Sequence, residues 1–233
     1  LLPKFLTYWL TVWNTEADFN LIYVNPETEH DPLDINLVSR ANSKSEVLTW
    51  MKESARKFRN IIAGLRTTLD WAETKKYIDI KRIGIVGMST GASIAVAAAG
   101  IDPRIAATVF FLGGINTHDI LSNATEPRVK RIRELIQSET SSWPNFLEQA
   151  TSLFHSIDSL HFAGKLDPAK TLYFDAEFDE YISESAREEF WIASRRPERI
   201  TFSSGHKDGF LALTPLGLYS AERKIMDFFR KKL

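Results

Sequence analysis

Ile83-Gly84-Ile85-Val86-Gly87-Met88-Ser89-Thr90-Gly91-Ala92 is the stretch that decides how this chain is read. The apolar run from Arg82 to Gly87 has no polar alternation, which predicts a strand buried on both faces. From Gly91 to Gly100 the sequence turns to Ala92, Ala95, Ala97, Ala98 and Ala99, side chains small enough to let a helix lie close against a sheet. Between the two stands a G-x-S-x-G sequence, Gly87-Met88-Ser89-Thr90-Gly91. At a strand-to-helix junction this spacing predicts a sharp turn: the glycines remove Cβ atoms that would collide, and a strained Ser89 projects its hydroxyl above the sheet. The plainer alternative is a Gly-rich turn whose serine only caps the helix.

On both sides of this stretch the same two periods alternate. Upstream, Asn20 to Val24 reads as a short buried strand, and residues from about Glu46 to Tyr77 repeat apolar side chains at helical spacing (Val47, Met51, Phe58, Ile61, Ile62, Leu65, Leu69), with a break expected near Gly64. Downstream, Ala106 to Leu112, Thr171 to Phe174 and Arg199 to Phe202 read as further buried strands, with helices near Glu184 to Ser194 and Leu216 to Phe229. Unalternated strands followed by helices predict an α/β fold, a mostly parallel sheet flanked by helices. No repeat, Gly/Ser linker or long single-sign run divides residues 1–233, so one domain is expected, with residues 115–170 as a small helical cap insertion.

Composition narrows the function classes. Of 233 residues, 44% are hydrophobic and 25% charged, which excludes a disordered chain. Twenty-nine basic and thirty acidic residues leave a formal charge of −1, without the positive field that binding to a nucleic-acid backbone needs. Zero Cys excludes a thiolate zinc site, a catalytic thiol and a disulfide; it fits a reducing compartment without requiring one, and a cytoplasmic location is the favoured expectation. Leu1 to Trp13 is apolar but too short to span a bilayer and is interrupted by Lys4, so a buried amphipathic helix is expected rather than a membrane or signal segment. Arg128, Lys130, Arg131 and Arg133, and Arg230 to Lys232, read as solvated helix faces or ends.

A serine hydroxyl needs a base within hydrogen-bond reach and a third group that orients the base. Of His30, His118, His155, His161 and His206, only His206 sits directly after a late buried strand, in Ser203-Ser204-Gly205-His206-Lys207-Asp208-Gly209. That places it at the carboxyl edge of the sheet, where open α/β folds bind ligands. The acid belongs between serine and histidine, where Phe174-Asp175-Ala176-Glu177-Phe178-Asp179-Glu180-Tyr181-Ile182 offers four carboxylates that composition does not separate. Asp175 directly ends the apolar strand; Asp179 falls in the loop, just before the apolar pair Tyr181 and Ile182.

From about Ile61 to the C-terminus the sequence resembles the α/β-hydrolase superfamily, and within it the dienelactone-hydrolase-like serine esterases. The resemblance rests on Leu65-Arg66-Thr67-Thr68-Leu69-Asp70-Trp71, on Ile78 to Gly91, on Asp175 to Ile182 and on Ser204-Gly205-His206. In that family the acid lies three residues after a strand-ending glycine, which implies Asp179; Ala176 stands in the glycine position and keeps Asp175 as runner-up. The implied order Ser89, Asp179, His206 is the one this fold uses. The resemblance implies cleavage of a small-molecule carboxylic ester through an acyl-serine, with thioesters and small amides as near variants. It implies no metal or organic cofactor, and it makes the backbone N–H of Thr90 the first oxyanion donor.

A second donor usually comes from a Gly-rich loop after an early strand, yet the chain begins at Leu1 and none of its 11 glycines precedes Gly64. The expectation is a chain lacking its first strands and that loop, with Lys4 to Thr15 as the helix after it. Val24-Asn25-Pro26-Glu27-Thr28 is the other source considered for the donor. A non-catalytic binding or interaction protein on the same fold is the competing function. In the insertion, Trp143, Phe146, Leu153, Phe154, Leu160 and Phe162 are candidates either for an acyl pocket or for docking the cap, and His155 and His161 either for substrate contact or for packing.

Overall fold

A computed structural model describes residues 35–114, 116–209 and 221–233 of the chain. The expected helix at Lys4 to Thr15, the strand at Asn20 to Val24 and the Val24 to Thr28 segment lie outside the described residues. The first described elements are a single helical turn, α1 (Ile35–Val38), and the 30-residue helix α2 (Lys44–Glu73). Ser43 caps α2, its side chain accepting the N–H of Glu46 at 3.2 Å. Val47, Met51, Ala55, Phe58 and Ile62 form its buried stripe. The expected break at Gly64 does not occur. Gly64 is exposed in the helix interior, where its missing side chain costs about 1 kcal/mol relative to alanine. Twenty-nine other helical residues and the packed stripe outweigh that cost.

Among the described residues four parallel strands follow in sequential spatial order: β1 (Ile83–Met88), β2 (Ile105–Phe111), β3 (Thr171–Ala176) and β4 (Glu198–Phe202). Helix α3 (Thr90–Ile101) joins β1 to β2, and α8 (Glu184–Ala193) joins β3 to β4. Between β2 and β3 run α4 (Thr117–Asn123), α5 (Pro127–Glu139), α6 (Trp143–Phe154) and α7 (Ser159–Ala163). The four-residue α9 (His206–Gly209) follows β4, and α10 (Ala221–Lys232) ends the chain. The fold is the expected α/β class, a parallel sheet flanked by helices.

Because side chains alternate across a strand, β2 feeds two cores. Phe110 joins Tyr173 and Phe190 in the larger cluster, with α2, α3 and the insertion helices. Val109 and Phe111 join Phe174, Phe202, Ile225 and Phe229 on the other face. Phe111 and Phe174 stack with centroids 4.0 Å apart. Four of the five alanines of α3, Ala92, Ala95, Ala97 and Ala98, are buried, as their size predicts. Close approach elsewhere rests on glycine: a Cβ at Gly84 would lie 2.5 Å from the ring of Phe229.

The insertion differs from expectation in two respects. Phe146 and Phe162 are buried in the larger core, and Trp143, Leu153 and Leu160 pack against it, so these residues dock the helices. The arginines of α5 are not merely solvated. Arg128 bonds Glu126, Asn36 and Tyr181, while Arg131 and Arg133 donate to the backbone carbonyls of Ser39, Ala41, Ser122 and Ala124, holding α5 to its neighbours.

Candidate active site

Ser89 sits between β1 and α3 with φ 51° and ψ −119°, a conformation an L residue rarely adopts. Its N–H donates to Phe111 O at 2.8 Å, tying the turn to the carboxyl end of β2. The two motif glycines are not equivalent. A Cβ at Gly87 would lie 2.1 Å from the carbonyl oxygen of Gly91, so Gly87 is required by backbone contact. A Cβ at Gly91 would meet nothing within 4 Å. The expectation that both glycines relieve a clash is therefore corrected for Gly91.

The loops after β3 and β4 meet Ser89. Glu177 N–H donates to Phe202 O (2.8 Å) and Phe178 N–H to Ser204 O (3.0 Å), which zips the two loops together past the strand ends. Ser89 Oγ lies 2.9 Å from His206 Nε2, and His206 Nδ1 lies 2.7 Å from Asp179 Oδ2. The other Asp179 oxygen accepts the N–H groups of Tyr181 (2.8 Å) and Ile182 (3.0 Å). The side chains of Asp179 and His206 are 1% and 8% exposed, so the pairing is shielded from water. An ionised carboxylate has only acceptors, so the ring proton belongs on Nδ1 and Nε2 is left to accept from the Ser89 hydroxyl.

Asp175 lies elsewhere. It belongs to the interior of β3, which extends to Ala176, and its side chain points into a cationic nest. Arg187 Nε is 3.1 Å away, Arg199 pairs with it through two nitrogens, and Tyr173 OH donates to it at 3.1 Å. Burial first, and then the Asp175 charge, hold the Tyr173 phenol well above its ordinary pKa. His155 and His161 meet edge to face with centroids 4.3 Å apart, and neither is among the residues lining the cavity beside Ser89.

Two features of the His206 surroundings were not read from sequence. Glu180 accepts the His206 N–H at 2.8 Å, while its own carbonyl accepts the N–H groups of Thr125 and Glu126. One residue thus ties the histidine turn to the start of α5. The Tyr181 ring lies 4.8 Å from His206, its OH accepting from Arg128 Nη2 at 2.7 Å. Burial, reinforced by the charge of Glu126, pushes the Tyr181 phenol up to about 12, so it stays neutral. Glu126 is itself buried. Desolvation opposes its charge, but Arg128 and the N–H groups of Val129 and Arg128 prevail and hold its carboxyl below the usual range. An acidic residue followed by a tyrosine was visible in the sequence; the partners at residues 125–128 were not.

Ser89 opens onto a cavity of about 290 Å³ whose described walls include Trp50, Met51, Leu112, Ile120, Phe154 and Ile182. Phe154 is the one insertion aromatic among the candidates that lines it. Thr90 also lines it and is the first residue of α3, where a backbone N–H has no intrahelical acceptor. A larger groove, about 530 Å³, lies at the opposite edge of the sheet beside Lys81, Arg104 and Lys170, and its described lining residues include no nucleophile–base pair.

The dienelactone hydrolase family model matches residues 28–139, just under half of the chain, including Ser89 but ending before Asp179 and His206. Among solved structures the chain is similar to an α/β hydrolase, GrgF, from Penicillium sp. sh18 (16% identity, TM-score 0.52, covering 75% of this chain and 72% of that one). It is similar to an acetyl xylan esterase from Paenibacillus sp. R4 (19%, TM-score 0.58, 76% and 54%). It is also similar to the Pyrococcus furiosus esterase Pf2001 (15%, TM-score 0.51, 74% and 62%). The chain thus spans between about half and three quarters of these proteins' lengths. No sequence match to a curated protein was found. The fold is that of the α/β hydrolases, and the family match supports a hydrolase.

Proposed function

We propose that this chain, an α/β hydrolase in fold and similar over residues 28–139 to the dienelactone hydrolase family, is a serine esterase acting on small-molecule carboxylic esters. The reading is carried by the hydrogen-bonded line from Ser89 through His206 to Asp179, on a serine of strained backbone at the mouth of an apolar cavity. In this reading Ser89 Oγ attacks the ester carbonyl while His206 Nε2 takes its proton. Asp179 keeps the imidazole in the competent tautomer and stabilises the imidazolium. His206 then protonates the leaving alcohol, and a water deprotonated by the same ring releases the acid from the acyl-serine. The Thr90 N–H, free of helix bonding, donates to the tetrahedral oxyanion. Residues 115–170 act as a cap: Thr117, Ile120, Leu121, Val129 and Phe154 wall the cavity above Ser89. Among the described residues no helix is long and apolar enough to cross a membrane.

Steady-state hydrolysis of 4-nitrophenyl butyrate tests the reading. The expected result is turnover by the intact chain that falls at least about 10⁴-fold in Ser89→Ala. Equal rates for the two proteins would assign the hydrolysis to another group and overturn it.

A further inference from the structure

The cavity beside Ser89 is not uniformly apolar. Two residues of its wall, Ser93 and Thr117, carry hydroxyls that are buried and have no hydrogen-bond partner among the described residues. Ser93 is fully buried and Thr117 is 6% exposed. Buried hydroxyls are normally paired, because each one left unpaired forfeits the bonds it made to water. Ser93 stands one helical turn beyond Ser89 on α3, and Thr117 opens α4. Its own N–H donates to Asp158 Oδ2 at 3.2 Å, which fixes its backbone while its hydroxyl is left over.

Apart from Thr90, whose N–H is assigned to the oxyanion, the hydroxyl, imidazole and ammonium groups of the other lining residues have partners. Tyr181 OH accepts from Arg128, Ser89 and His206 bond each other, and the exposed Lys207 ammonium lies 3.7 Å from Glu126. Two residues of the apolar wall thus carry neutral, unpaired hydroxyls, and the one cation among the described lining residues already faces a carboxylate.

We propose that Ser93 and Thr117 are specificity-determining residues, and that the site takes a neutral, short aliphatic ester carrying an acceptor oxygen, a ketone above all, part-way along its acyl chain. This rests on the reading of Ser89 as the residue that cleaves esters. Each hydroxyl donates one hydrogen, and a ketone oxygen presents two lone pairs without bringing a charge or a second donor into the apolar cavity. A plain acyl chain of equal length leaves both hydroxyls unpaired in the complex. Sites that hydrogen-bond a substrate oxygen discriminate against its apolar analogue for this reason.

The experiment compares 4-nitrophenyl 4-oxopentanoate with 4-nitrophenyl pentanoate, and 5-oxohexanoate with hexanoate, in the intact chain, in Ser93→Ala, in Thr117→Val and in the double variant. Thr117→Ser, which restores the hydroxyl, serves as the conservative control. In the intact chain kcat/KM is expected to favour at least one oxo ester by about ten- to a hundredfold. That ratio should shrink in each single variant, fall to within about twofold in the double variant, and survive in Thr117→Ser. Binding of the same esters to Ser89→Ala, measured calorimetrically, should show the same preference without turnover. An intact chain that treats oxo and plain esters alike, or a preference that the double variant retains, would overturn the proposal. If Ser89→Ala binds oxo esters selectively while the intact chain hydrolyses none, the esterase reading fails and the specificity assignment stands.

Discussion

Two aspartates four residues apart have opposite surroundings, and the difference predicts opposite phenotypes. Asp179 faces His206 and is held by two backbone N–H groups; Asp175 faces Arg187 and Arg199 inside the sheet. Asp179→Asn keeps the shape but replaces an acceptor with an amide, so the imidazole loses the partner that fixes its tautomer. Turnover of 4-nitrophenyl butyrate is expected to fall by about 10³- to 10⁴-fold, with little change in Tm. Asp175→Asn leaves the buried Arg187 guanidinium, and the part-buried Arg199 beside it, short of a charge and is expected to destabilise the fold by about 3–5 kcal/mol, read as a lower thermal midpoint. Activity lost in Asp175→Asn at full stability, with Asp179→Asn active, would exchange the two roles. In the sequence both were acids near the end of an apolar strand. What separated them was the family resemblance, which implies an acid three residues after the strand-ending glycine position and just before an apolar pair, the pair whose N–H groups hold the Asp179 carboxylate; what stayed hidden was the arginine nest, assembled from residues 12 and 24 positions further along.

At the scale of the element, the turn from β1 into α3 stores the strain that presents Ser89. The account predicts an asymmetry between its glycines. Gly87→Ala places a methyl 2.1 Å from the Gly91 carbonyl oxygen, so the turn must open; esterase activity should fall by more than about tenfold together with stability. Gly91→Ala enters open space at a helical position, and should retain activity within about threefold and stability within about 0.5 kcal/mol. Parallel activity and melting measurements check both, and a tolerated Gly87→Ala would remove the packing argument for the turn. The strands and α3 were legible because apolar runs and small residues mark sheet and close-packed helix, although β1 departs from the expected burial on both faces, Val86 being 43% exposed. The continuity of α2 through Gly64 was not, since it depends on packing of Val47, Met51, Phe58 and Ile62 against distant elements. For the same reason Trp143, Phe146 and Phe162 resembled pocket residues: helical spacing marks a buried face without saying what covers it.

Across the whole molecule, α2 is tied to the α3–β2 turn by a charge network beyond the active site. Asp102 is buried, with Arg104 Nη2 at 2.7 Å and Arg66 Nε at 3.4 Å, and Arg104 reaches back to Asp70 and Glu73. The hydrogen bonds from Arg104, working against burial, lower the Asp102 carboxyl to about 2. Its folded-state value is thus below its unfolded one, so its contribution is complete above about pH 4 and is lost as pH falls through about 2. Asp102→Asn is expected to lower stability at pH 7 by on the order of 2 kcal/mol, with the difference from the intact chain vanishing near pH 2. Denaturant titrations at several pH values measure it, and a difference constant with pH would assign the loss to packing instead. This network, like the link from Glu180 to Thr125 and Glu126, joins residues far apart in sequence, which is why local patterns gave no sign of it. The central claim concerns one atom, Ser89 Oγ. A fluorophosphonate probe, followed by peptide mass spectrometry, tests it most directly: the account predicts a single stoichiometric adduct on Ser89, abolished in Ser89→Ala and strongly slowed in His206→Ala. An unlabelled Ser89 in folded protein, or an adduct on another residue, would contradict it.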